Sequence, residues 1–399
     1  MSGTGRYRVV IVGAGSAGIT VAARLLRAEK SLRGSLAVLD PADKHYYQPL
    51  WTLVGGGVAK KEATEREMRT LIPRGAVWIK DAAAAVQPGK KELTTREGRR
   101  ICYEYLVVAA GLEIRWDGIL GLREALRTDG VCSNYSYDFV GKTWECIRSF
   151  RGGTAIFTHP NTPVKCGGAP QKIMYLADDC FRRSGVRDQA EIVFASADAA
   201  IFQVKKYADT LETVIARKQI TTAYRRNLIE IRPLTREAVF EHLDTGEREV
   251  MRYDMLHVTP PMGPPAFLRE SPLADADGWA DVDKHTLQHK RYPNVFALGD
   301  CSNLPTSKTG AAIRKQAPVA VQNLLALMRG APLAARYDGY TSCPLVTGYN
   351  KLALAEFDYT LSPRETFPFD QAKERWSMYV LKKDLLPVMY WNGMLKGRM

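Results

Sequence analysis

Tyr7-Arg8-Val9-Val10-Ile11-Val12-Gly13-Ala14-Gly15-Ser16-Ala17-Gly18 is the stretch that decides the fold. Its first half is a short apolar, β-branched run, which reads as a buried strand. Its second half is G-x-G-x-x-G, and Ile19-Thr20-Val21-Ala22-Ala23-Arg24-Leu25-Leu26 then repeats apolar residues at helical spacing. Leu36-Ala37-Val38-Leu39 follows as a second strand and ends on Asp40, 22 residues past Gly18. Gly13 permits the tight turn, Gly15 lets the backbone approach a pyrophosphate, and Gly18 lets the helix pack close to the sheet. The free N–H groups of the helix start suit phosphate, and Asp40 suits ribose hydroxyls. The first domain is therefore expected to be an α/β dinucleotide-binding unit.

A chain of 399 residues has room for two or three such domains. With 46% hydrophobic and 25% charged residues it has the balance of a folded soluble protein. No apolar run reaches the ~20 residues of a spanning helix, and the polar lead goes straight into the first strand, so no cleaved export signal is expected. The formal charge of +13 calls for an anionic partner: nucleic acid, a phosphate-bearing cofactor or an anionic membrane. No nucleic-acid-binding pattern accompanies it, so nucleic acid is not expected; a merely solvated basic surface is the plain alternative. His285 and His289 have helical metal-ligand spacing, but Pro293 is close and no third ligand is evident, so no metal is expected. The seven cysteines show no C-x-x-C spacing, and their odd number argues against a structural disulfide framework.

Two later segments specify the dinucleotide. Tyr103-Glu104-Tyr105-Leu106-Val107-Val108-Ala109-Ala110-Gly111 and Tyr292-Pro293-Asn294-Val295-Phe296-Ala297-Leu298-Gly299-Asp300 are apolar strands running into small or acidic residues. They resemble the secondary signatures of the disulfide-reductase-like flavoproteins, which implies FAD as the first ligand and Asp300 as a contact to its ribityl chain. A second glycine-rich turn for a nicotinamide nucleotide is expected after Thr154-Ala155-Ile156-Phe157-Thr158. The chain has His159-Pro160-Asn161-Thr162-Pro163-Val164-Lys165-Cys166-Gly167-Gly168-Ala169-Pro170 there instead. Three prolines make a poor phosphate cradle. Cys166, beside Lys165 and before a helix, is placed to be a thiolate. Cys343 stands where a sharp turn is expected to present it. Two small buried hydrophobes remain the alternative to a redox pair.

TPVKCGGAPQKIMYLADDCF, MLHVTPPMGPP, TLQHKRYPNVFALGDCSNLPTSKTGAA and YDGYTSCPLVTGYNKLALAEFDY resemble the sulfide:quinone oxidoreductases, in particular the subgroup with the animal mitochondrial enzymes. The similarity runs nearly end to end. It implies two Rossmann-like domains, FAD, oxidation of hydrogen sulfide, and delivery of two electrons to a membrane quinone. It makes Cys166 and Cys343 the redox pair, bridged directly or through extra sulfur, with a persulfide on Cys343 after sulfide attack and the Cys166 sulfur facing the flavin. It implies cofactor contacts from Gly13, Gly15, Ser16, Ala17, Gly18, Asp40, Gln48, Ala83, Asp300 and Gly310. A small sulfur acceptor (glutathione, sulfite, cyanide or polysulfide) would take the outer sulfur. Cys132, within GVCSNYS, matches no third-cysteine motif, and the remaining cysteines read as packing.

The expected organisation is an FAD domain over 1–118, a second Rossmann-like domain over 119–287, a return to the FAD domain over 288–340, and a quinone and membrane region over 341–399. The tail 371–399 has six Lys/Arg against two acids, with Trp, Tyr and Leu among them. It reads as two short in-plane helices separated by Pro387, on an anionic membrane. A terminal helix pair packed on the core is its alternative. Removing the tail is expected to separate membrane binding from flavin binding. With no targeting extension visible, a peripheral protein of a bacterial cytoplasmic membrane is expected, its oligomeric state open. Two rival functions remain: a type II NADH:quinone oxidoreductase, and a flavoprotein that carries persulfide sulfur without turnover.

Overall fold

A strand covered on both faces needs an unbroken apolar run, and Val9, Val10, Ile11 and Val12 are all buried. The computed structural model describes residues 5–399, so the polar lead lies outside the described residues. The first strand, Gly5–Val12, pairs in parallel with Leu36–Leu39 on one side and with Arg100–Val108 on the other. Ala76–Ile79 extends the sheet beyond Leu36–Leu39. On the opposite side Arg100–Val108 pairs antiparallel with Glu92–Thr95, and near its end parallel with Val295–Ala297. Register places Val12 beside both Leu39 and Val108. The turn after Val12 therefore opens at the carboxyl ends of three strands, where ligands of open α/β sheets bind. The helix Ser16–Ala28 leaves that turn, and Gly310–Met328 packs alongside it.

A second, five-stranded parallel sheet has Gly153–His159 at its centre, flanked by Met255–His257 and Ala190–Ser196, with Val131–Cys132 and Thr221–Tyr224 outermost. An antiparallel meander, Arg226–Arg232, Glu237–His242 and Arg248–Arg252, is appended. The helix Ala169–Arg183 follows the loop after Gly153–His159 and packs on the hairpin Thr341–Gly348/Lys351–Phe357. That contact brings the C-terminal part of the chain onto the second domain.

Two local expectations fail. Cys343 lies inside the strand Thr341–Gly348, opposite Ala355, and not on a sharp turn. Both strands of a two-stranded ribbon are edges, so Pro344 is tolerated there. Pro387 does not split the tail either. Trp376–Val380, a π-turn over Leu381–Leu385 and Leu386–Asn392 form one continuous helical run. Pro387 falls in the first turn of the last piece, where its missing N–H costs least, and the widened turn precedes it.

Candidate active site

The glycine turn shows why each small residue is required. Gly13 has φ of +101°, and a Cβ on it would lie 2.5 Å from the Ala109 carbonyl oxygen. A Cβ on Gly18 would stand 1.8 Å from the Gly13 carbonyl oxygen. Gly15 differs from both, since a Cβ there meets nothing within 4 Å. The helix Ser16–Ala28 has no side-chain cap, so its first N–H groups face that open space without an internal acceptor. Asp40 accepts hydrogen bonds from the Ala14 N–H at 2.6 Å and the Ala42 N–H at 2.8 Å. Burial pushes its carboxyl above the usual range, against the pull of those two donors. A second helix start, Gly310, is equally open, with Thr309 capping it through the Ala312 N–H at 3.0 Å. Uncapped donors, empty space and a ribose-type acid suit a dinucleotide.

The loop after Gly153–His159 does something else. Cys166 is left-handed, with φ of +58°, a conformation costly for a residue with a Cβ and one that often marks functional sites. It is held by its N–H to the Lys308 carbonyl at 2.9 Å and by its own carbonyl, which accepts from Ala169 N–H at 2.7 Å. Its Sγ lies 2.7 Å from Cys343 Sγ. The backbone between them is tight: a Cβ on Gly168 would come 2.8 Å from Cys343 Sγ. Lys172, on the buried side of the helix Ala169–Arg183, donates from Nζ to Cys166 Sγ at 3.2 Å.

Electrostatics divide the two sulfurs. The hydrogen bond from Cys343 lowers the Cys166 thiol to about 5, overcoming burial, with the charges of Lys172 and Lys382 helping. Burial pushes the Cys343 thiol well up. Burial also works against Lys172, but the two sulfurs outweigh it and keep the ammonium protonated. Lys382 is buried too and donates to the Pro49 carbonyl at 3.0 Å. Burial, then the Lys172 charge, lowers it to about 7. The result is one thiolate and one thiol with a fixed cation beside the thiolate, an arrangement suited to thiol–disulfide chemistry.

The structure gathers most of the residues expected from the sequence. Gln48 Oε1 accepts from Lys165 Nζ at 2.8 Å, which ties the Asp40 side of the site to the cysteine loop. Asp300 lies in the turn Gly299–Cys301, and its carbonyl accepts from Lys308 Nζ at 2.8 Å. Ala17 lies against the same turn, 3.3 Å from where a Gly299 Cβ would be. Thr341, two residues before Cys343, bonds Thr309 at 2.9 Å, joining the cysteine hairpin to the Gly310 helix start. Ala83 opens the strand Ala83–Gln87 and is buried, with no polar contact to the others. His285 and His289 each give a ring nitrogen to a backbone carbonyl, of Tyr337 and Leu273.

Sequence reasoning missed four groups. Lys172 is a lone cation in an apolar helix face, which was the available signal. Lys382, one of the six basic residues of the tail, is buried and points inward, which no pattern in the tail signals. Tyr135 is buried, its hydroxyl has no hydrogen-bond partner among the described residues, and burial with the charge of both sulfurs pushes its pKa up and keeps it protonated. Tyr390 Oη lies 2.7 Å from Ser16 Oγ and 2.5 Å from His45 Nε2, and His45 Nδ1 reaches the Ala14 carbonyl at 3.0 Å. The tail thus contacts the glycine turn, a tertiary relation no local pattern carries.

Comparison with known proteins places this geometry. Residues 7–137 match the family model of pyridine nucleotide-disulphide oxidoreductases. The chain is 50% identical to the mitochondrial sulfide:quinone oxidoreductase of Mus musculus, over 98% of this chain and 87% of that protein. It is equally 50% identical to the corresponding protein of Dictyostelium discoideum, over 98% and 86%. Among solved structures, the sulfide:quinone oxidoreductase from Aquifex aeolicus superposes with a TM-score of 0.82 at 19% identity, over 98% of this chain and 92% of that one. At that identity the likeness speaks for the fold. Both curated relatives are named as mitochondrial, which gives no support to the bacterial membrane expected from the sequence.

Proposed function

The chain belongs to the sulfide:quinone oxidoreductase family, and from that premise we propose that Cys166 and Cys343 carry its oxidation of hydrogen sulfide. The observation that supports the assignment is the 2.7 Å approach of the two sulfurs beside Lys172. The family depends on FAD, which when bound would supply two-electron chemistry between the cysteine pair and quinone; Gly13, Gly15, Ser16, Ala17, Gly18, Asp40, Gln48, Ala83, Asp300 and Gly310 are proposed to hold it. In the oxidised pair a disulfide joins the two sulfurs. Hydrosulfide attacks Cys343, the S–S bond breaks, Cys343 keeps the new sulfur as a persulfide, and Cys166 leaves as thiolate. Lys172 stabilises that leaving thiolate, which its low pKa already favours. A small nucleophile (glutathione, sulfite, cyanide or polysulfide) then takes the outer sulfur. Re-forming the bridge from two thiolates releases two electrons, the pair that leaves sulfide overall.

NADH oxidation is not favoured, because the loop His159–Gly168 holds the thiolate where a second phosphate cradle would be needed. No helix among the described residues is long and apolar enough to cross a membrane. The exposed Trp376, Leu385, Val388 and Met389 support the proposal that the tail lies on one, close to its lipid-soluble quinone. Anaerobic titration of Cys166→Ser and Cys343→Ser with sulfide, then a soluble quinone, tests the chemistry. Both variants are expected to stay yellow and to lose turnover. Normal turnover in either removes that cysteine from the mechanism.

A further inference from the structure

A cleft of about 480 Å³ lies away from the cysteine pair, between the end of the helix Ser16–Ala28, the turn before Ala76–Ile79 and the last residues of the tail. Its rim carries Arg27, Arg33, Arg74, Lys396 and Arg398, and no acidic residue lines it. All five cations are exposed. Acids of the neighbouring segments are engaged elsewhere: Glu29 with Arg329, Glu67 with Lys44 and Asp43 with Lys80. Arg24, on the same helix, donates to the Met399 carbonyl oxygen at 3.1 Å, which fixes the tail end against the helix. The floor is apolar, from the buried side chains of Leu26, Leu71 and Leu395.

We propose that this cleft receives the phosphate headgroup of an acidic phospholipid. Five cations with no ion-pair partner among the described residues, converging from three chain segments, match a phosphodiester, and an apolar floor matches the glycerol and upper acyl carbons that follow it. Continuity of the chain adds to this. The turn Met394–Lys396, which supplies Leu395 and Lys396, comes straight after the helix Leu386–Asn392, whose Val388 and Met389 are exposed to solvent. The inference deepens the reading of the tail as membrane-facing: apolar side chains give affinity for any bilayer, and the cleft adds preference for anionic lipid. It also uses part of the +13 charge that the cofactor site does not consume.

The test is co-sedimentation of the holoenzyme with vesicles of phosphatidylcholine alone and of phosphatidylcholine mixed with phosphatidylglycerol. A variant combining Arg33→Gln, Arg74→Gln and Lys396→Gln is expected to lose about a hundredfold in partitioning to the mixed vesicles, the effect of three basic residues at an anionic surface. Its partitioning to neutral vesicles and its turnover with sulfide and a soluble quinone should not change. A control combining Lys90→Gln, Lys91→Gln and Arg151→Gln, also exposed, removes the same charge elsewhere and should have little effect. Equal losses in both variants mean diffuse attraction and overturn the cleft. Wild-type partitioning that ignores phosphatidylglycerol overturns it as well. Displacement by inorganic phosphate, with no increment from the lipid, would identify a soluble phosphate site and overturn the lipid assignment. Loss of binding to neutral vesicles in a Trp376→Ser, Val388→Ser variant reports on the apolar anchor alone, so the two readings fail separately.

Discussion

A cysteine ordinarily ionises near 8.5, and at Cys166 the fall to about 5 comes from neighbours and not from exposure. Reduced protein is therefore expected to show a thiolate absorbance step near 240 nm, centred at about pH 5, in the difference between wild type and Cys166→Ser. Lys172→Met should move that step upward, because it removes a cation 3.2 Å from the sulfur. A step that stays at 5 would detach Lys172 from the thiolate. Lys382 makes a second prediction at this scale. Its pKa of about 7 is depressed from 10.5 by burial, so between those values the unfolded chain binds a proton that the folded chain does not. Stability then rises with pH across that window, and the penalty is present in full below pH 7. Lys382→Met should remove the slope and raise stability at pH 7 by a few kcal/mol. Unfolding of the holoenzyme in denaturant at pH 7 and pH 9 measures it; a slope that persists in the variant refutes the assignment.

At the scale of elements, the glycine turn separates ligand space from packing space. A side chain on Gly15 projects into empty room, whereas one on Gly18 collides with the Gly13 carbonyl. Gly15→Val should consequently fold normally and emerge colourless, with the melting temperature of flavin-stripped protein. Gly18→Ala should cost several kcal/mol, since either the helix or the turn must shift. Flavin absorbance and thermal unfolding of the two proteins decide the matter: a fully yellow Gly15→Val contradicts the cradle. The strands and helices around this turn were legible in the sequence. Leu36–Leu39 and Val295–Ala297 fall inside their apolar runs, because a buried strand and a glycine turn are local patterns. The cysteine hairpin was legible only in part: the strand-like run after Cys343 suggested a turn at the cysteine, whereas pairing with Lys351–Phe357 puts Cys343 inside a strand.

For the whole molecule, the tail is half core and half surface. Tyr379, Tyr390, Met394 and Leu395 are buried, while Trp376, at 66% exposure, and Val388, at 55%, are not. Gln371 is itself fully buried and donates to the Leu354 carbonyl at 3.2 Å. Deleting 371–399 would therefore strip contacts from the hairpin, from the Ser16 turn and from the cysteine site together. It is expected to reduce flavin retention as well as membrane binding, contrary to the clean separation that the sequence alone suggested. Serine at Trp376, Leu385, Val388 and Met389 is the cleaner variant. It should keep flavin and sulfide-dependent reduction of a soluble quinone, and lose about a thousandfold or more in vesicle binding, given four exposed apolar side chains at roughly 1.5 kcal/mol each when fully buried. Unchanged sedimentation with vesicles would show that this face is not the membrane surface.

By itself the sequence determined what depends on near neighbours along the chain: the strand, glycine turn and helix of the cradle, the acid at Asp40, the proline-rich loop in place of a second cradle, and the suspicion attached to Cys166. Each of these follows from spacing and side-chain type, which fix backbone conformation over one or two turns. Only the tertiary structure decided what depends on long-range approach. It brought Cys343 to Cys166 across 177 positions, turned Lys382 inward, and laid Tyr390 on the glycine turn 374 positions away. A hydrogen-bonding thiol and a cation within a few ångströms of a sulfur in a water-poor interior shift its ionisation strongly, whereas the same cation in solvent barely would. The chemistry of this site therefore depends on which distant segments exclude water from it, and sequence spacing does not encode that.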